Sequence, residues 1–145
     1  MRNGITPIDT AFVDTSAFFA SAFSRSLDHD QALAVMAMLR TAKRRLVTTD
    51  LIMAELHALA LARRGRNFAL ELIGEVARGS TLVVRVTEED EERAIAILHR
   101  YADKDFSYID ATSFSVVDRL NIADSFAFDR HFAQCGPTLV GPDRP

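Results

Sequence analysis

Residues 105–132, DFSYIDATSFSVVDRLNIADSFAFDRHF, decide how this chain folds. Ser107-Tyr108-Ile109-Asp110 has the S-x-x-D form of a helix start, in which a hydroxyl and a carboxylate satisfy the first backbone N–H groups. Ile109, Val116, Val117 and Leu120 then recur at helical spacing. Asn121 ends that helix, because Asn tolerates the left-handed backbone found at helix ends. Phe126-Ala127-Phe128 reads as a short buried strand that stops on Asp129. One carboxylate at a helix start and one at a strand end are therefore expected at the same edge of a sheet.

The same grammar runs outward along the chain. Thr10 to Val13 is a short apolar run ending on Asp14, with Thr15, Ser16 and the apolar stretch Ala17 to Phe23 after it: strand, turn, helix. Asp28 or His29 opens a second helix with Leu33, Met36 and Ala37 at helical spacing, ending in Lys43-Arg44-Arg45. Leu46 to Thr49 is a second strand, and Asp50 caps an apolar helix closed by Gly65. Asn67 to Arg78 reads as another helix, with Phe68, Leu72, Ile73 and Val76 on one side. Thr81 to Val86 is the clearest strand signal, and Thr87 starts a helix with Ala94, Ile95, Leu98 and Tyr101 inward. Thr138 to Val140 adds a last edge strand. Strands alternating with helices predict an α/β domain: a central parallel sheet of four to five short strands with helices on both faces. Ligands bind such sheets outside the carboxyl ends of the strands.

With 145 residues, a single domain spanning 1–145 is expected, with 1–8 as an N-terminal extension and 141–145, rich in proline, as a flexible tail. Hydrophobic residues make up 48% and charged ones 26%, which excludes disorder and fibrous repeats. No apolar stretch reaches the length of a membrane span, and MRNGITPIDT lacks the apolar core of a secretory signal. One cysteine, Cys135, cannot pair internally and fits a reducing cytoplasm. The net charge of −3 argues against a non-specific nucleic-acid coat, but neutralising four acids with bound metal would turn it positive.

Asp14, Asp110 and Asp129 each have a structural alternative as helix caps. Glu55 does not share it. It lies at the spacing of Ile52, Leu56 and Leu59, on the stripe expected to be buried, with no Lys or Arg one turn away. A carboxylate there is costly unless paired or bound to metal. His57 falls off that stripe. Carboxylates gathered at a sheet edge form an oxygen-only site, suited to Mg²⁺ or Mn²⁺ rather than zinc, that activates water and orients a phosphate. Asp105 and Ser16 are candidate outer ligands or supports.

These pieces together resemble the PIN-domain ribonucleases, especially VapC-type toxins. The resemblance rests on VDTSAFFA around Asp14, TTDLIMAELHAL around Glu55, DFSYIDATSF around Asp110 and AFDRHF around Asp129, in that order over nearly the whole chain. It implies a PIN fold, Mg²⁺- or Mn²⁺-dependent cleavage of RNA, and Asp14, Glu55, Asp110 and Asp129 as the acidic cluster. It also implies a homodimer and a small cognate antitoxin that blocks the site. A catalytically silent PIN-like module that binds RNA or protein is the alternative.

Other classes fail on specific residues. A HAD-type phosphatase needs a second Asp two positions after the first, where this chain has Ser16. A receiver domain needs a late strand-end Lys, and the two lysines, Lys43 and Lys104, are elsewhere. A dinucleotide binder needs glycines that the first turn lacks. Among the basic residues, Arg130 beside Asp129 is placed best for a phosphate, with Arg63 and Arg64 as further RNA-binding candidates. Lys43 to Arg45 read as charge complementing a helix C-terminus, and Phe18 and Phe19 as core.

Overall fold

Parallel strands and helices alternate along the computed structural model, which describes residues 9–128, 138 and 139. The order is β1 (Thr10–Val13), α1 (Thr15–Ala22), α2 (His29–Thr41), β2 (Arg45–Thr49), α3 (Asp50–Arg64) and α4 (Arg66–Arg78). It continues with β3 (Leu82–Val84), α5 (Glu88–Arg100), α6 (Tyr108–Arg119), β4 (Asp124–Phe126) and β5 (Thr138–Leu139). The strands form one five-stranded sheet in the order β3-β2-β1-β4-β5, every pairing parallel. The predicted α/β class holds. The extension 1–8, the tail 141–145, Val140, Cys135 and the segment holding Asp129, Arg130 and His131 lie outside the described residues.

Connectivity decides where a ligand can sit. The chain steps outward from β1 to β2 to β3, then returns across the sheet to β4. Right-handed crossovers in opposite directions put α1–α4 on one face and α5–α6 on the other. The reversal falls between β1 and β4, and ligands of such sheets bind at that point, outside the carboxyl ends of the strands. Phe12, Val13, Val47 and Phe126 fill the sheet's interior with no exposed surface, and Ile52 and Leu56 of α3 are equally buried. Every residue of α6 from Asp110 to Val117 is buried. That enclosure makes it the central helix on its face, whereas α5 buries only Asp90 and Ala94.

Several elements differ from the sequence expectation. β4 is Asp124–Phe126, not 126–128. Its first two residues are polar, and only long-range contacts make them strand. β3 is three residues, not six, because it is an edge strand paired only with Val47–Thr49. The cap of α3 is Thr49, whose hydroxyl accepts from Ile52 N at 3.1 Å. Asp50 is its first helical residue, and its carboxylate accepts from Val86 N at 2.9 Å, tying α3 to the exit of β3. The inward stripe of α2 is Ala32, Val35 and Leu39 rather than Leu33, Met36 and Ala37. On the thinly covered α5, Ile95 points outward and is 50% exposed. Asn121 does close α6 in the left-handed region, at φ 56°.

Two arginines clamp the scaffold. Arg44 is not a helix-end charge. Its Nη2 donates to Thr10 O and to the Asp124 carboxylate, both at 2.9 Å, joining the starts of β1 and β4 at the amino edge of the switch point. Arg119 of α6 grips Asp90 of α5 with both oxygens, Nε to Oδ1 at 2.9 Å and Nη2 to Oδ2 at 2.8 Å. Burial works against the Asp90 carboxylate, but the bonds from Arg119 and from the Thr87 capping box outweigh it and hold its pKa below the usual value. Arg119→Ala leaves a fully buried acid without its partner, and a loss on the order of 3 kcal/mol is expected in urea unfolding. Arg44→Ala, whose partner Asp124 unlike Asp90 keeps some contact with solvent, is expected to cost about 1–2 kcal/mol in the same measurement.

Candidate active site

Asp14 follows the last residue of β1 and caps α1, so the strand-end acid and the helix cap are the same group. Its backbone is pinned from both sides. Asp14 N donates to Phe126 O at 3.0 Å, and Thr48 Oγ1 of β2 donates to Val13 O at 2.9 Å. The carboxylate, 4% exposed, accepts from Ser16 N at 3.3 Å and from Ser16 Oγ at 2.8 Å through the same oxygen. Ser16 Oγ in turn accepts from Phe128 N at 3.0 Å. One hydroxyl therefore joins the first acid to the exit of β4, the segment that leads on to Asp129. The Phe126 and Phe128 rings meet edge-on at 5.8 Å and fix that exit.

Asp110 is presented by a different device. Ser107 Oγ accepts from Asp110 N, and Asp110 Oδ2 accepts from Ser107 N, each at 3.0 Å: a complete capping box. The turn before it is held by edge-on contacts of Phe106 with Phe114 at 5.1 Å and with Tyr101 at 5.6 Å. Asp110 is 8% exposed. Glu55, in the second turn of α3, is half-buried at the margin of the Ile52–Leu56–Ala60 stripe rather than inside it, and His57 is half-buried as well. Asp105 is exposed on the turn before Asp110. Arg63 and Arg64 are exposed at the far end of α3, nine residues beyond Glu55 in the case of Arg64.

Electrostatics bring three of the four predicted acids together. Burial pushes Asp14 up from 3.8 to about 6; repulsion from Glu55 and Asp110 adds to this, against the pull of the two Ser16 hydrogen bonds. The carboxylates converge without closing: no three His, Cys, Asp or Glu side chains among the described residues are gathered tightly enough to enclose a metal ion. Like charges 4 Å apart repel by about 4 kcal/mol near a protein surface, which resists closure until something neutralises them. The donor set nevertheless fits a hard cation, being all oxygen. Two buried hydroxyls near it in the chain, Thr15 Oγ1 next to Asp14 and Ser113 Oγ one turn beyond Asp110, have no hydrogen-bond partner among the described residues. Thr15, Thr48 and Ser113 were not singled out from sequence. The runs DTS and DATS place Thr15 and Ser113 near Asp14 and Asp110, but local pattern does not say which hydroxyl points where.

The sign of the Asp14 effect is fixed by these values. Unfolded, the acid ionises near 3.8; folded, it keeps its proton to about 6. The native state binds more protons across that window, so metal-free protein loses stability as pH rises through it and carries the whole penalty above it. A shift of that size corresponds to about 3 kcal/mol. Asp14→Asn is expected to raise the melting temperature at neutral pH in chelator and to flatten the pH dependence between about 4 and 6, measured by thermal unfolding.

Comparison with known proteins places this geometry. The PIN domain model matches residues 11–136. The chain is 29% identical over 132 residues, 91% of its own length and 98% of the relative's, to the 23S rRNA-specific endonuclease VapC20 of Mycobacterium tuberculosis. It is 28% identical over 126 residues to ribonuclease VapC26 of the same organism, covering 86% of this chain and 91% of that one. The crystal structure of M. tuberculosis VapC20, described as a sarcin–ricin loop cleaving toxin, superposes with a TM-score of 0.84, covering 91% of this chain and 99% of that one. VapBC2 of Rickettsia felis, solved with a promoter DNA fragment, shares the fold at 9% identity and a TM-score of 0.69, covering 90% of this chain and 97% of that one. With a matching family model over most of its length, the chain belongs to the PIN-domain family.

Proposed function

We propose that this chain is a divalent-metal-dependent endoribonuclease and the toxin of a type II toxin–antitoxin pair. The observation that carries the reading is the environment of Asp14: a buried acid at the carboxyl end of the central strand, made costly by burial and by two further carboxylates. A structural cap needs no such company. The near full-length likeness to relatives named as an rRNA endonuclease and a ribonuclease supports RNA as the substrate. The VapBC2 fold match is consistent with a small antitoxin partner. A homodimer and a cytoplasmic location complete the reading.

Asp14, Glu55, Asp110 and Asp129 would hold Mg²⁺ or Mn²⁺, since carboxylates alone suit hard cations. When bound, the ion supplies a nucleophilic water and neutralises charge at the scissile phosphate. The chain's own residues prepare the place. Ser16 favours the ionised form of Asp14 and, through Phe128 N, holds the β4 exit at the same edge. The Ser107 box and the Phe106–Phe114 contact fix the direction of Asp110. Asp105 serves as an outer support, and Arg130, next to Asp129, contacts a substrate phosphate.

Asp14→Asn, Glu55→Gln and Asp110→Asn are each expected to lower Mn²⁺-dependent RNA cleavage by about 100-fold or more while circular dichroism shows an unchanged fold. Wild-type cleavage by the Asp14 or Asp110 variant overturns the assignment and leaves a silent binding module. Mn²⁺ at about 100 times its dissociation constant stabilises a protein that binds it only when folded by about 2.7 kcal/mol. Wild type is therefore expected to gain melting temperature from Mn²⁺, and Asp14→Asn to gain much less.

A further inference from the structure

The turn between α3 and α4 carries charge that the carboxylate edge does not explain. Gly65, at φ 86°, reverses the chain and brings Arg63 and Arg64, the last residues of α3, against Arg66, the first of α4. All three are exposed. None forms an ion pair among the described residues. Arg63 and Arg64 sit where a helix end favours cations. Arg66 does not. It occupies the opposite kind of end, where the dipole disfavours positive charge, and the first turn of α4 holds no acid to offset it. Helix stability therefore accounts for two of the arginines and is opposed by the third.

Arg64 is also oriented. Its guanidinium lies 5.1 Å from the centroid of Phe23, the cap that ends α1, and 5.4 Å from that of Phe68 in α4. Phe19 extends the platform, its ring 5.2 Å from Phe23. Stacked on half-buried rings, a guanidinium commits its face and keeps its N–H edge for acceptors in its own plane. Two phosphate oxygens are the acceptors that fit such a fork. A side chain already held in place also gives up less freedom when it binds. Glu55 and Arg64 share one helix, and nine residues of rise put the tip about 14 Å along α3 from the carboxylate.

We propose that this arginine tip is a second contact surface for the sugar–phosphate backbone of the RNA substrate, gripping it a few nucleotides from the bond at the carboxylate edge. The proposal rests on the ribonuclease reading above. It assigns roles to Arg66, and to Phe23 and Phe68 as the rings that orient Arg64.

The test uses the full chain and two labelled RNA stem–loops sharing one loop, one with a long stem and one with a stem too short to reach the tip. Binding is measured in the cleavage-deficient Asp14→Asn background across a salt titration, and cleavage with Mn²⁺ in the wild-type background. Arg63→Ala with Arg66→Ala is expected to weaken long-stem binding about tenfold and to lower the salt slope by roughly one to two, since each lost phosphate contact removes about one counterion released. Short-stem binding stays the same. Arg64→Lys keeps the charge and loses the stacked fork, so long-stem affinity falls several-fold with the slope unchanged. Parental affinity and slope in both variants overturn the inference. So does unchanged RNA binding with an altered sedimentation profile, which makes the tip a protein-binding surface. If wild type with Mn²⁺ cleaves neither RNA, the ribonuclease reading fails and takes this inference with it. Cleavage of both RNAs, with arginine variants indistinguishable from the parent, removes the tip alone.

Discussion

A carboxylate held out of water at the end of the central strand, facing two others, is the constraint on which the rest of this fold depends. Left to itself, Asp14 would swing into solvent or keep its proton. It is denied the first escape because its backbone is bonded to β4 on one side and its strand is held by Thr48 of β2 on the other. It partly takes the second, retaining its proton to about 6. A penalty of about 3 kcal/mol is a large fraction of the 5–15 kcal/mol that usually separates folded from unfolded protein. The remainder of the molecule has to be stiff enough to carry it.

That stiffness is placed away from the site. At the amino edge of the same two strands, Arg44 joins Thr10 and Asp124, so opposite charges are paired where β1 and β4 begin and like charges collect where β1 ends. On the far face, Asp90 has no exposed surface but receives two bonds from Arg119 and the Thr87 box, so its charge is fully answered. Asp90 and Asp14 are both buried aspartates and both cap helices. Burial raises both pKa values. For Asp14 it prevails, with repulsion from Glu55 and Asp110 adding to it, whereas for Asp90 the bonds from Arg119 and Thr87 outweigh it, so the two move in opposite directions. The direction of the net shift, more than burial alone, marks an acid whose charge is unanswered as a candidate functional group.

Sequence pattern found what is local and missed what is remote. The helix starts at Ser107 and Thr87, the left-handed close at Asn121, and the places of Asp14 after a strand and Asp110 in a helix start were legible because each follows from residues within a turn or two. β4 was misplaced by two residues because Asp124 and Ser125 become strand only through Ala11, Phe12 and Arg44, far away in the chain. β3 was overextended because its length is set by how much of β2 lies beside it, not by its own apolar run. Arg44 read as a helix-end charge for the same reason: its partners are 34 and 80 residues distant. Glu55 was placed inside a stripe that it only borders, since the spacing of apolar residues gives a direction around the helix but not the depth at which burial stops.

The two best-defined acids also show why a capping reading and a catalytic reading need not compete. Asp14 accepts Ser16 through Oδ2, and Asp110 accepts Ser107 through Oδ2. In each case the contact that closes the helix start sets the plane of the carboxylate. A cap costs the chain nothing extra at a strand-to-helix junction, where an acid is already favoured by the helix dipole and by the unpaired N–H groups. A strand-to-helix junction at Asp14 and a helix-to-helix turn before Asp110 thus give a pair of pre-oriented carboxylates, and α3 adds the third from its second turn. Local rules fix the aim of each acid separately, while only the reversal of strand order between β1 and β4 makes them converge. Weakening either cap should therefore misdirect its acid before it unfolds its helix, because α1 and α6 are held chiefly by their buried residues.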